Sequence, residues 1–222
     1  MWTDLLPVVL VMMISPARTL AVIILLHTPR RAVTSLAFVG GMIGAMLVQG
    51  AFFGILMRTI GLTDVSEAAS LNTFIGALYL VGGVVLLVGA VKVARPAPGG
   101  GGLAAAMAKL ESASPRAAGV VGFGWLFASP KQWVFTLTAV AVIYAAYLQP
   151  IAAFANYLLF ALLVQLAYLA IIALYWLQPE RVDGLLSGVF DWIRGHLKVV
   201  AITVFTVFGV VFLLKAISIL AN

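Results

Sequence analysis

Two apolar segments of membrane length are each broken near the middle by a serine, a proline and a cation. Ser15-Pro16-Ala17-Arg18 interrupts the first, and Ser129-Pro130-Lys131-Gln132 interrupts the fourth. Proline lacks an N–H and clashes with the carbonyl four residues back, so neither segment can run through as one regular helix. Serine before proline suits an N-cap, with proline at the first helical position. Gln132, three residues after Ser129, completes a capping-box pattern in the second copy. Each motif is therefore expected to start a new half-helix inside the membrane. A half-helix N-terminus presents free N–H groups and partial positive charge, which favour an anion. Arg18 and Lys131 add full charges just inside those termini.

The chain is 64% hydrophobic and 9% charged, the composition of a helical membrane protein. A span needs roughly 20 apolar residues. Six segments qualify, at about 2–26, 33–57, 70–92, 117–147, 151–177 and 197–219. The expected fold is an all-α integral membrane protein of six transmembrane helices, with helices one and four broken. The matched motifs fall in helices one and four, so each half holds three spans. An odd number of spans turns the second half upside down, giving two inverted three-helix repeats. Residues 1–93 form the first repeat, 94–116 a cytoplasmic Pro/Gly-rich linker, and 117–222 the second repeat. Within the second, residues from about 181 to 195 read as an interfacial amphipathic helix, with Val182, Leu185, Leu186, Val189 and Ile193 at helical spacing. Glycines 40, 41, 44, 50 and 54 in helix two, and 76, 82, 83 and 89 in helix three, point to close helix packing. Such faces also offer a surface for a homodimer.

Loop charge sets orientation. With the N-terminus outside, the cytoplasmic loops carry Arg30, Arg31, Lys92, Arg95, Lys109, Arg116, Arg181, Arg194 and Lys198, against Arg58 and Lys215 opposite. Both termini are thus expected outside a plasma (inner) membrane, with Trp2 and Trp176 as interfacial anchors. The net charge of +6 reflects this bias and not a nucleic-acid partner. The absence of cysteine excludes disulfides and thiolate metal sites. His27 and His196 have no metal-ligand spacing, no nucleophile has a plausible histidine and carboxylate partner, and the glycine run 99–102 lacks the lysine of a phosphate loop. No enzyme activity, metal or cofactor is expected.

The candidate substrate site comprises Ser15, Pro16, Arg18, Ser129, Pro130, Lys131, Gln132 and Thr136. A cation at bilayer centre costs at least about 2.5–3.5 kcal/mol on insertion scales, and no carboxylate lies at that depth. Two such cations imply a polar cavity, water or an anionic ligand. The competing reading is that the cations snorkel or bond carbonyls freed at the breaks. Thr138 is a further candidate for the cavity. Gln49, Asn156, Gln165 and Tyr168 are mid-membrane polar groups that read as interhelical hydrogen bonders. Asp4 is the single weak candidate for proton coupling.

At these residues the chain resembles a known group. Six spans, the early Ser-Pro motif and the Ser-Pro-Lys motif in helix four resemble the lysine exporter superfamily. The stretches MMISPARTLAVIILLHTPRRAV and FASPKQWVFTLTAV look most like its GAP family, which includes the sulfolipid-addressing and glycopeptidolipid-addressing proteins. Relatives often have Asn-Pro-Lys in helix four, and Ser129 keeps the capping chemistry in its place. The resemblance implies export of an envelope glycolipid or lipid-linked precursor across the plasma membrane. Joined to the two cations, it points to a phosphate- or sulfate-bearing lipid whose tails stay in the bilayer. The alternatives are an exporter of small carboxylate solutes such as amino acids, as in the amino-acid branch, and a non-transporting membrane partner of a glycolipid synthase or exporter. A lateral opening to lipid separates the first reading from the second. Tolerance of Arg18 and Lys131 to substitution marks the third. Envelope-lipid synthesis machinery is the protein partner such a role implies.

Overall fold

The computed structural model describes residues 1–28, 31–59, 68–95, 110 and 112–221. The loop cations Arg30 and Lys109, the Pro/Gly-rich stretch with glycines 99–102 and the alanine-rich stretch after it lie outside the described residues. So do the side chains of Arg31, Arg181, Val182, Asp183 and Arg194.

All regular structure among the described residues is helical. In chain order the helices are α1 (Trp2–Met13), α2 (Pro16–Leu26), α3 (Arg31–Thr59), α4 (Ala68–Ala94), α5 (Pro115–Phe127), α6 (Pro130–Tyr144), α7 (Pro150–Leu177) and α8 (Pro179–Leu220). Proline opens α2, α5, α6, α7 and α8, where its missing N–H costs nothing. Within α3, α4, α7 and α8 lie four stretches long and apolar enough to cross a membrane. The bent pairs α1–α2 and α5–α6 raise the number to six if each pair is one span. This is a multi-pass membrane protein.

The helix α8 has 42 residues. At 1.5 Å per residue it is about 63 Å long, roughly twice the ~30 Å hydrocarbon core. The amphipathic stretch is thus continuous with the last span, since no proline or capping residue stops the helix between them. Its Leu186 and Ile193 face inward, while Leu185, Val189 and Trp192 are exposed.

Helix pairing follows small residues. The α3–α5 seam is the closest backbone approach: a Cβ on Gly41 would lie 2.0 Å from the Gly119 carbonyl oxygen, and one on Gly122 would lie 2.1 Å from that of Phe38. No side chain fits at either position, so the glycines set the seam. A second extensive seam joins α4 to α8. Its aromatic centre is Phe212, whose ring lies 5.1 Å from that of Tyr79 and 5.3 Å from that of Phe135 on α6. Asp4 on α1 pairs with Lys215 on α8 at 2.7 Å, and Trp2 donates to the Asn156 side chain at 3.1 Å. The two chain ends and the start of α7 therefore share one end of the bundle. Trp2 serves as an interhelical tie there, beyond the anchoring expected of it, whereas Trp176 is exposed near the end of α7.

Candidate functional site

At the first break the chain bends by 54°. Ser15 is extended (φ −133°, ψ 101°) and Pro16 opens α2, but the serine hydroxyl does not cap the helix. The carbonyls freed at the end of α1 are taken by side chains. Arg18 Nη2 donates to the Met12 carbonyl, and the Tyr168 hydroxyl donates to that of Met13 at 2.8 Å. The Arg18 guanidinium also packs on Tyr168, 5.4 Å from the ring centroid. Arg18 is only 4% exposed, yet its Nη1 has no hydrogen-bond partner within the protein.

The second break is sharper, at 74°. Ser129 is again extended (φ −88°, ψ 111°), Pro130 opens α6, and the serine again fails to cap. The capping box expected from Gln132 is absent, because the Ser129 N–H is already held by the Leu126 carbonyl at 3.2 Å. The Gln132 side chain is buried instead, with Nε2 unpartnered. The freed Phe127 carbonyl accepts from the Trp133 indole at 2.6 Å. Lys131 makes no ion pair among the described residues and lies 4.8 Å from the Phe205 ring centroid. Arg18 is close enough to Lys131 for their charges to repel. The fold thus brings the cations of two motifs 113 positions apart into one region. Among the described residues, Asp4 is the carboxylate found in ion pairs, and its partners are Lys215 and the N-terminus.

Polar side chains join the two breaks. Thr136, one turn beyond Gln132, donates to Gln49 Oε1 at 3.2 Å, and both Thr136 and Gln49 are fully buried. Gln49 stands one turn from Met46, whose sulfur is 3.5 Å from Gln165 Nε2. Gln165 in turn stands one turn before Tyr168, against which Arg18 packs. Four buried atoms in this circuit lack a partner among the described residues: Arg18 Nη1, Gln49 Nε2, Gln132 Nε2 and Gln165 Oε1. Leaving such a group without any partner costs about 1–3 kcal/mol, so each calls for a water or a ligand atom. Thr138 is not part of the circuit, since its hydroxyl bonds the Val134 carbonyl of its own helix at 2.8 Å.

Beside the circuit, towards the end of the bundle that holds the termini, lies a cavity of about 690 Å³ between α3, α6 and α7. Its walls are mostly aliphatic, with Arg58, Tyr144, Tyr147 and Tyr157 as polar-tipped members. Gly50 and Gly54 make room for the tyrosines: a Cβ on Gly50 would lie 2.2 Å from Tyr157, and the Tyr144 hydroxyl donates to the Gly54 carbonyl at 3.1 Å. Tyr147 holds a left-handed backbone (φ 48°), a strained conformation for an aromatic residue. The wall residues Ile55 and Phe154 are 68% and 61% exposed on the outer surface of the bundle. The cavity therefore opens sideways, onto the apolar surface. Its wall residues Gly50 and Val140 follow Gln49 by one position and Thr136 by one helical turn. Sequence reasoning missed this cavity. The Gly50 and Gly54 pair, one helical turn apart, was the available signal, but its tyrosine partners lie far away in sequence.

The family model described as Sap, sulfolipid-1-addressing protein, matches residues 5–218. No curated protein and no solved structure matches the chain.

Proposed function

The chain belongs to the sulfolipid-1-addressing protein family, and from that premise we propose that it is a plasma-membrane transporter for an anionic lipid. Its substrate is a phosphate- or sulfate-bearing glycolipid or lipid-linked envelope precursor, moved by alternating access and without chemical change. The observation that carries this reading is that Arg18 and Lys131, each just inside a helix break, lie close enough for their charges to repel, with no carboxylate paired to either among the described residues. Two like charges held together in a mostly apolar bundle favour an anion between them. The lateral cavity favours a lipid over a small carboxylate solute, because a tail can remain in contact with the bilayer while the headgroup sits at the cations.

Alternating access rests on six spans arranged as two inverted repeats, and the helix pairing supports that arrangement. Exchanging the halves turns α3–α5 contact into α7–α1, α4–α6 into α8–α2 and α2–α3 into α6–α7. The α4–α8 and α3–α7 pairs map onto themselves, and every one of these pairs is present. With both termini outside, as loop charge implies, the cavity faces the outer half of the bilayer. The tight glycine seam of α3 and α5 then closes the cytoplasmic half.

The test is mass spectrometry of lipids that copurify in mild detergent, comparing wild type with Lys131→Ala and with an Arg18→Ala, Lys131→Ala double variant. Enrichment of an anionic glycolipid or polyprenyl phosphate in wild type, lost in both variants, is expected. Headgroup binding that survives loss of both cations refutes the reading. Uptake of small carboxylates by reconstituted vesicles, with no lipid enrichment, would move the protein to the solute-exporter class.

A further inference from the structure

The cations explain recognition of negative charge, but they leave the three glutamines unused. Gln49, Gln132 and Gln165 come from α3, α6 and α7, and their exposures are 0%, 3% and 0%. Each keeps one amide atom unpartnered within the protein, and these atoms differ in kind: Gln49 and Gln132 offer N–H donors, whereas Gln165 offers an acceptor oxygen. An ionised phosphate or sulfate monoester has oxygens that accept and nothing that donates. It can use the two amide N–H groups and Arg18 Nη1, but it leaves Gln165 Oε1 unsatisfied. That oxygen requires a donor. An ammonium would supply one, but it would stand close to Arg18 and Lys131 and be repelled. A neutral hydroxyl supplies the donor without that repulsion.

We propose that Gln49, Gln132 and Gln165 form a subsite for hydroxyl groups beside the cation pair, so that the site selects an anionic headgroup bearing hydroxyls over one bearing charge alone. This inference rests on the anionic-lipid reading above and assigns its specificity. The placement supports it. Gln132 adjoins Lys131 in sequence, Gln165 lies one turn from the tyrosine that holds Arg18, and Gln49 immediately precedes Gly50 of the cavity wall. Charge, hydroxyls and tail would each find matching chemistry in adjoining parts of one path. A hydrophobic residue of similar size at position 132 or 165 would fill the same volume and leave no amide atom unsatisfied.

The experiment measures binding of two lipids of equal charge to purified protein in detergent micelles. Phosphatidylinositol carries hydroxyls, and phosphatidylethanol carries none. Wild type should bind phosphatidylinositol at least about tenfold more tightly. Gln165→Leu should abolish that preference while leaving phosphatidylethanol binding within about threefold. Its melting temperature should hold or rise, because the substitution removes an unsatisfied polar group. Equal binding of the two lipids by wild type overturns the subsite and leaves water as the partner of the amides. Retention of the preference in the variant overturns it as well. Failure of wild type to bind either lipid overturns the anionic-lipid reading itself. Soluble inositol 1-phosphate provides the last arm: binding as tight as that of phosphatidylinositol would keep the subsite but assign it to a free headgroup instead of a lipid.

Discussion

The two helix breaks share a motif but use their cations differently. At the first, Arg18 is drawn back onto the Met12 carbonyl and packed on Tyr168, so much of its bonding capacity maintains the break. At the second, the freed Phe127 carbonyl is served by Trp133, and Lys131 packs on an aromatic ring with no ion pair among the described residues. The reading in which the cation bonds carbonyls freed by proline therefore describes part of Arg18 and none of Lys131. A guanidinium has five N–H donors and can hold a carbonyl while presenting a free edge. An ammonium on a flexible stem suits a single mobile contact. In this reading Arg18 orients the site and Lys131 is the charge most available to a ligand.

Substitutions break or sharpen this contrast. The largest effect is expected at Arg18→Ala, which leaves the Met12 carbonyl unpaired and strips Tyr168 of its cation. Loss of about 1–3 kcal/mol of stability, seen as a clear fall in melting temperature in detergent, should accompany loss of lipid binding. Arg18→Lys should restore charge but not stability, because an ammonium cannot both reach the carbonyl and stack. Lys131→Ala comes next and should separate the two roles. Lipid binding is expected to fall tenfold or more, about 1.4 kcal/mol, with little change in melting temperature. Equal destabilisation by the Arg18 and Lys131 variants would erase the distinction. Tyr168→Phe removes the hydroxyl from the Met13 carbonyl, which also accepts the Ser15 N–H at 3.1 Å. Its cost should be about 0.6–1.7 kcal/mol, with binding weakened through displacement of Arg18. Trp133→Phe is the smallest, with about 0.6 kcal/mol lost and lipid binding unchanged, since the indole serves the second break and not the ligand.

Much of the candidate site was legible because proline acts locally. Pro16 and Pro130 each open a new half-helix, and the extended serines before them follow from the sterics of the residue before proline. The capping box at Ser129 was a local inference that failed, since backbone geometry had already occupied the N–H in question. Gln49 and Gln165 read as ordinary interhelical bonders, and each does make such a contact. Their remaining amide atoms became informative only once their neighbours were known. Arg58, Tyr144 and Tyr157 carried no signal of a shared cavity, for their meeting depends on how α3 lies against α6 and α7.

By itself the sequence determined the membrane class and the positions of the two breaks, because hydropathy and proline sterics operate within a few residues. Tertiary structure decided which cation is committed to its own break and which amides stay unpaired. It also decided that an apolar cavity opens beside them. Those features depend on contacts between residues about a hundred positions apart, as between Gln49 and Thr136 or Met46 and Gln165. Hydrogen-bond satisfaction is a property of the assembled neighbourhood, and no local pattern encodes which donor finds a partner.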